Sequence, residues 1–448
     1  MNFKSISFYL SLFCFPISFL AFINILYASY FDYFLSIDTY FTALLVSLFL
    51  GGGLWYYGKN ASKNIDFIEQ LILIVSAYFL TSILIAIPFY LSNYQVTFIN
   101  SFFESVSGLT GTGFSIFKNI KYLDPTLILW RSSSQWIGGL FFLLILIIIF
   151  SNKSFNYKMT NLTFSGDSNF KSEENIKDNI LKIFIIYSVL SIIILTLLSF
   201  SGLRLFNSLN MSMTLISGGG FLPTDSIDKI ISSNFQKIVF ILSLLISLLN
   251  FYLLFNLFNK KILIREHKED LYLIAASIVF FILIYFNNYE GLDIIISVIS
   301  SLANSGLTLV KSDNNLSLYF LFLTIIGGSL ISNTSGIKLT RFYILLKITS
   351  LEIIKLISPN SVINKTIFNS DKKITEENVK ISFLIFISFF LSLFILSSLL
   401  VVDNIGFEKS FKLSILTLTN TVNSEMFDMG NINFSNLLTS SKISLILF

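Results

Sequence analysis

"ESVSGLTGTGFSIF", residues 104–117, lies between two long apolar runs. Its first half places apolar residues at helical spacing, and its Thr-Gly-Thr-Gly centre weakens a helix and favours a turn. The stretch is too short and too interrupted to span a bilayer, which asks for about 20 apolar residues. It is also too apolar at its start for a surface loop. The pattern predicts a half-helix that enters the membrane and turns back.

The rest of the chain supplies that membrane. Of 448 residues, 54% are hydrophobic and 12% charged, with mean hydropathy +0.78. A soluble domain carries about 25% charged residues. The runs 71–92 and 381–402 contain no charge and are long enough to span. The fold class is therefore an all-α polytopic membrane protein.

A net charge of +4 is too small to argue for a nucleic-acid partner, but its placement is informative. Lys59 and Lys63 share one connector, and Lys153, Lys158, Lys171, Lys177 and Lys182 crowd a second. Lys260, Lys261, Arg265 and Lys268 fill a third; Lys347, Lys355, Lys365, Lys372 and Lys373 fill a fourth. Acids mark the alternate connectors: Asp32 and Asp38, Asp225 and Asp228, Glu290 and Asp293. The positive-inside rule puts the four basic connectors in the cytoplasm. The single Cys14 excludes a disulfide framework, and the single His267 sits among loop charges. Without an HExxH pattern or a nucleophile–base pair, an intramembrane enzyme is disfavoured. The first apolar run, 5–29, is read as a retained span rather than a cleaved leader.

A repeat organises the chain. Residues 1–58 hold two introductory transmembrane helices, and four units follow at 67–150, 180–259, 269–347 and 381–448. Each is a long apolar helix, a shorter half-apolar segment and a second apolar helix. The short segments break at "TGTGF" (110–114), "SGGGF" (217–221), "ANSGL" (303–307) and "NTVNS" (420–424). Irregular backbone is tolerated at membrane depth only inside protein or along a water-filled cavity. Four copies imply four segments meeting on one axis. Each helix would aim its negative dipole end inward, with the turn's carbonyls facing an ion. The plain alternative is simple turns between spans. "GGG" at 51–53, in an introductory span, predicts close helix packing.

Three motifs carry a resemblance. "FFESVSGLTGTGF" (102–114), "LWRSSSQWIGGL" (129–140) and "GGSLISNTSGIKLTR" (327–341) resemble the Trk/Ktr/HKT potassium-transporter superfamily. The nearest likeness within it is to the membrane subunit of the bacterial Trk system. The likeness covers the whole chain in architecture; it is specific in repeats one and three, moderate in two and weak in four. It implies four membrane helix–pore helix–membrane helix units around one pore. It also implies channel-like potassium uptake across the bacterial inner membrane, with sodium as a second candidate ion and no covalently bound cofactor. The implied partners are a second copy of the chain and a cytosolic nucleotide-binding regulatory subunit. Membrane lipid is the alternative partner for the basic face.

Carried over by position, the family's filter glycines fall on Gly113, Gly220 and Gly306, and the fourth on Asn423. The residues before them are Gly111 and Thr112, Gly218 and Gly219, Asn304 and Ser305, and Thr421 and Val422. The family's usual Thr-Thr-Thr-Gly string is altered in every repeat. An asparagine among three glycines predicts only weak discrimination of potassium from sodium. In repeat three the helix is interrupted by Gly327, Gly328, Ser329, Ser332, Asn333, Thr334, Ser335 and Gly336. Lys338 and Arg341 follow it, and the resemblance implies an intramembrane gate; a static kink is the alternative.

Arginine is rare in this lysine-rich chain, so Arg131 predicts a need for a planar, always-charged group, with Glu104 as partner in a structural clamp. Snorkelling of Arg131 to the outer interface is the alternative. "SKISLILF" at the end is shorter than the family's last helix, so that helix is read as truncated. An ion-coupled secondary transporter of a small solute remains the competing function, for which Glu104 and Asp124 are the nearest coupling acids.

Overall fold

The structure, a computed structural model, describes residues 2–61, 65–150, 176–251, 253–254, 268–286, 290–310, 314–358, 366–368, 373–430 and 432–448. His267 and most of the basic connector residues, among them Lys63, Lys153, Lys158, Lys171, Lys260, Lys261, Arg265, Lys365 and Lys372, lie outside them.

The described elements begin with α1 (Phe3–Tyr30), α2 (Phe34–Gly58) and α3 (Phe67–Leu91). The short α4 (Phe98–Thr110) precedes α5 (Pro125–Phe150), and α6 (Ile176–Phe200) is followed by the short α7 (Leu205–Ile216). Then come α8 (Asn234–Leu248), α9 (Lys268–Tyr285), the short α10 (Gly291–Leu302) and α11 (Asn314–Ile326). The chain ends with α12 (Leu339–Ile357), α13 (Glu376–Val402), the short α14 (Phe407–Leu418) and α15 (Thr439–Leu447). Among the described residues, five helices are long and apolar enough to cross a membrane: α1 and α13, and the larger parts of α2, α3 and α6.

The helix starts are written locally. Asp66 and Glu69 form a capping box at α3, with Glu69 Oε2 accepting from the Asp66 N–H at 3.1 Å. Ser233 and Gln236 do the same at α8. The end of the third repeat differs from the sequence reading. The third repeat's second helix stops at Ile326 and resumes as α12, which runs on to Ile357. Lys347 and Lys355 therefore stand on a helix rather than in a connector, because residues 339–357 contain neither glycine nor proline to end it.

The residues sort into two compact units. One comprises the described residues of 1–156, 171–231 and 433–442; the other comprises those of 232–432 and 443–448. In the first unit, α1 packs along α2 and against α3 and α5. Phe13 meets Phe141 edge to face at 4.7 Å, and the Trp130 indole donates to the Ile85 carbonyl at 3.0 Å. In lipid there is little hydrophobic force between helices, so close approach and hydrogen bonds carry the association. The glycine triplet serves this purpose only in part. A Cβ on Gly51 would touch Cys14 at 3.0 Å, whereas Gly52 and Gly53 face open space. The closer approach is at Gly58, where a Cβ would lie 2.6 Å from the Lys4 carbonyl oxygen.

The four short helices are buried despite their hydroxyls. Ser105, Ser212, Ser301 and Ser414 each donate to a backbone carbonyl three or four residues earlier on the same helix. These four hydroxyls are thus satisfied internally, as a water-poor surrounding demands.

Candidate functional site

All four short helices end in the same way. Gly111, Gly218, Asn304 and Asn420 are left-handed, with φ of 82°, 70°, 58° and 46°. The amide of each donates to the carbonyl three residues back at 3.1 Å. In the last three, the next amide reaches five residues back: Gly219 to Thr214, Ser305 to Ser300 and Thr421 to Leu416. That pair of bonds is the glycine-type helix stop, and it fixes the register without reference to residue identity.

By this register, Gly113, Gly220 and Gly306 stand two residues after the left-handed position, and so does Val422. Counted from the helix stop, the fourth segment's counterpart is Asn420, Thr421 and Val422, one residue before the expected Thr421, Val422 and Asn423. Carry-over by position from the family motif put Asn423 in the glycine position, and asparagine does tolerate left-handed backbone. The tolerance is used three residues earlier, at Asn420. Asn423 lies one step beyond the triplet, where its amide donates to the Gly430 carbonyl at 3.2 Å.

Within each unit two of these turns come together. In the first, a Cβ on Gly111 would sit 3.9 Å from Gly219 Cα. In the second, Gly306 (φ 67°) is hard against its neighbour, since a Cβ there would meet the Val422 carbonyl oxygen at 2.6 Å. Neighbouring side chains brace the turns. Thr110 and Thr112 hydroxyls pair at 2.8 Å, Thr419 and Thr421 at 3.0 Å, and Ser300 and Ser305 at 2.9 Å.

One helix, α5, backs both turns of the first unit. Arg131 Nε donates to Glu104 Oε1 at 2.8 Å, and its Nη2 donates to Ser115 Oγ at 3.0 Å. The Ser115 hydroxyl and the Ile116 amide also donate to Glu104, at 3.0 and 2.8 Å. The guanidinium carbon lies 4.1 Å from the Phe221 ring centre, a cation–π contact. Arg131 is 1% exposed, so it does not snorkel. One helical turn on, Gln135 Oε1 accepts from the Phe221 amide at 3.2 Å. Gly138 and Gly139 follow: a Cβ on the first would overlap the Leu109 carbonyl, and on the second would touch Ser217 at 2.9 Å. The "WRSSSQWIGGL" string is thus a surface with an arginine and a glycine for one turn and a glutamine and a glycine for the other. The acids weighed for coupled transport are both engaged: Glu104 as above, and Asp124 capping α5 through the Thr126 amide at 3.2 Å.

The interruption at 327–336 is a compact loop. The Ile337 and Lys338 amides donate back to Ile325 and Ile326 carbonyls at 2.9 Å, closing its base. A Cβ on Gly336 would meet the carbonyl oxygens of Thr324 and Ile325 at 2.8 Å, so the base leaves no room for one. The Lys338 ammonium turns inward. It donates to Thr334 Oγ1 at 2.8 Å and Ser332 Oγ at 3.2 Å, and also to the Ser332 and Thr334 carbonyls. Ser332 and Thr334 hydroxyls pair at 2.6 Å, and Thr334 accepts from the Gly328 amide at 3.1 Å. Ser329 donates to Glu269 Oε2 at 3.3 Å, and the Leu330 amide donates to Oε1 at 3.1 Å, tying the loop to α9. Arg341 makes a longer bond to the Ile337 carbonyl at 3.4 Å, and the Asn333 side chain is half-buried. Glu269, Gln135 and Ser115 escaped the sequence reading. An acid opening a span beside a basic connector was the one available signal for Glu269.

A multi-pass helical membrane protein with paired re-entrant turns is the class these features define. The chain belongs to the TrkH family of cation transport proteins, whose family model matches residues 36–289. An uncharacterized cation transporter of Methanocaldococcus jannaschii is 27% identical over 343 residues, covering 74% of this chain and 70% of that protein. The Trk system potassium uptake protein TrkG of Escherichia coli is 27% identical over 420 residues, covering 88% and 84%. The crystal structure of the potassium transporter TrkH from Vibrio parahaemolyticus shares the fold, with TM-score 0.86 and 20% identity over 100% of this chain and 95% of that one.

Proposed function

We propose that this protein is a channel-like transporter that mediates potassium uptake across the bacterial inner membrane. The observation that carries the reading is the matched left-handed stop of four short buried helices, whose following backbones meet in pairs within each unit. Glycine-rich turns at helix C-termini place backbone carbonyls and the negative dipole end where a dehydrated cation is stabilised. Relatives named as potassium uptake proteins support potassium as the ion. In this proposal the four triplets form the ion filter, Glu104 and Arg131 clamp its first segment, and residues 327–336 form the gate. Sodium is the second ion to be tested. The naming of relatives as parts of a Trk system supports a regulatory partner, proposed as a cytosolic nucleotide-binding subunit, and pairing of two copies. Rubidium uptake in cells stripped of their own potassium transporters tests the function. Uptake that sodium does not abolish is expected; no uptake by well-inserted protein overturns it.

A further inference from the structure

The left-handed helix stops are glycine in repeats one and two, and asparagine in repeats three and four. Glycine enters this conformation without strain, so asparagine needs a use for its carboxamide. Both carboxamides reach one residue of the interruption. Asn304 Oδ1 accepts from the Ser335 amide at 3.1 Å, and Asn420 Nδ2 donates to Ser335 Oγ at 2.9 Å.

The orientation of Asn304 is unambiguous. Its Nδ2 faces the Thr324 carbonyl at 2.9 Å and the Thr421 hydroxyl at 3.3 Å, so a flipped amide would set oxygen against a carbonyl. The side chain is 1% exposed, which makes each of these bonds costly to lose. Through Thr421 it also touches the fourth turn segment. Ser335 is thereby held by two turns at once, at the place where the loop closes back on Gly327.

We propose that Asn304, Asn420 and Ser335 form a latch that couples the turn segments of repeats three and four to the 327–336 loop. The loop cannot leave without releasing the carboxamides at the start of both triplets. Conversely, a shift in either triplet frees Ser335. The inference rests on reading the triplets as the ion path and the loop as its gate. Repeats one and two carry glycine at the matching positions, where no side chain is present to make such a contact.

The test uses Ser335→Ala and Asn420→Gly, which remove the same hydrogen bond from its two ends; glycine preserves the left-handed turn. Each is combined with Leu330→Cys, a half-buried loop position, in a chain whose native Cys14 is fully buried. Thiol labelling at 330 is expected to quicken roughly three- to tenfold in either variant, the worth of one buried hydrogen bond. The double variant should be no faster than either single one, because a shared bond can be lost only once. Rubidium uptake should rise in parallel. Unchanged labelling, or additive effects, overturns the latch. Faster labelling with unchanged uptake, in a protein that does transport, overturns the coupling. If the parent moves no rubidium the proposed function fails, and labelling alone still decides the latch.

Discussion

Arg131 Nε and Glu104 Oε1 lie 2.8 Å apart with both side chains sealed from solvent, 1% and 0% exposed. Glu104 accepts two further donors, from Ser115 and the Ile116 amide, so its charge is fully used. Removing one partner leaves an uncompensated buried charge, which typically costs about 3–5 kcal/mol. Arg131→Ala and Glu104→Ala should each lower the thermal stability of the purified protein sharply. Arg131→Lys should not rescue, since an ammonium cannot bond Glu104 and Ser115 while lying flat on Phe221. Melting curves in detergent decide; wild-type stability for Arg131→Lys would contradict the fork geometry.

Gly306 permits a second prediction. It combines φ 67° with backbone only 2.6 Å from where a Cβ would lie. The same change at Gly52 meets nothing within 4 Å. Gly306→Ala should therefore abolish or misdirect rubidium uptake at normal expression, while Gly52→Ala leaves it intact. Equal uptake by the two would remove Gly306 from the ion path.

The sequence revealed the elements more reliably than the contacts. Long uncharged runs specify helices because a lipid environment demands internal hydrogen bonding, and the breaks at 110–114, 217–221 and 303–307 were legible from glycine alone. The Glu104–Arg131 pair was legible because an arginine among the spans of a lysine-rich chain is conspicuous. The fourth segment was not. "TNTVNS" offers two asparagines, and only the hydrogen bonds at Asn420 and Thr421 tell which one turns the chain. The partners of Glu269 were likewise hidden, since Ser329 and Leu330 are 60 and 61 residues away.

Asp225 links the two loops that follow the first and second turns. It accepts from the Ile120 amide at 2.7 Å and from Lys229 at 2.9 Å. Burial works against its charge, but these donors hold the carboxyl below its ordinary value. A depressed carboxyl adds stability above the unfolded value of about 3.9 and loses it as pH falls through the folded one. Asp225→Asn should lower the melting temperature slightly at neutral pH, and the gap from wild type should close in acid. A gap that is constant with pH would assign the effect to packing.

The Lys338 ammonium sits among four oxygens of Ser332 and Thr334. Lys338→Met keeps the length of the side chain and removes every donor, leaving those oxygens facing one another. Unsatisfied buried groups cost about 1–3 kcal/mol each, enough to open the loop. Rubidium uptake should rise while the potassium-to-sodium ratio stays near that of the parent. Unchanged uptake by folded Lys338→Met would mean that the loop is a static kink.

The last prediction concerns Val422. Gly113, Gly220 and Gly306 occupy the position two residues past the left-handed stop, and Val422 occupies it in the fourth segment. A β-branched residue is an outlier in left-handed backbone; Gly113 and Gly306 adopt positive φ, whereas neither Gly220 nor Val422 does. What sets the fourth segment apart is the branched side chain that Val422 carries where the other three segments have glycine. A segment stiffened by a branched side chain should adapt less well to a dehydrated potassium and discriminate less against sodium. Val422→Gly should raise the potassium-to-sodium ratio without reducing uptake. Asn423→Gly should leave the ratio unmoved, because its amide nitrogen holds the side chain on the Gly430 carbonyl, outside the triplet. Competition of rubidium uptake by graded sodium, run on both variants, separates the two registers. A shift in Asn423→Gly alone would restore Thr421, Val422 and Asn423 as the fourth triplet.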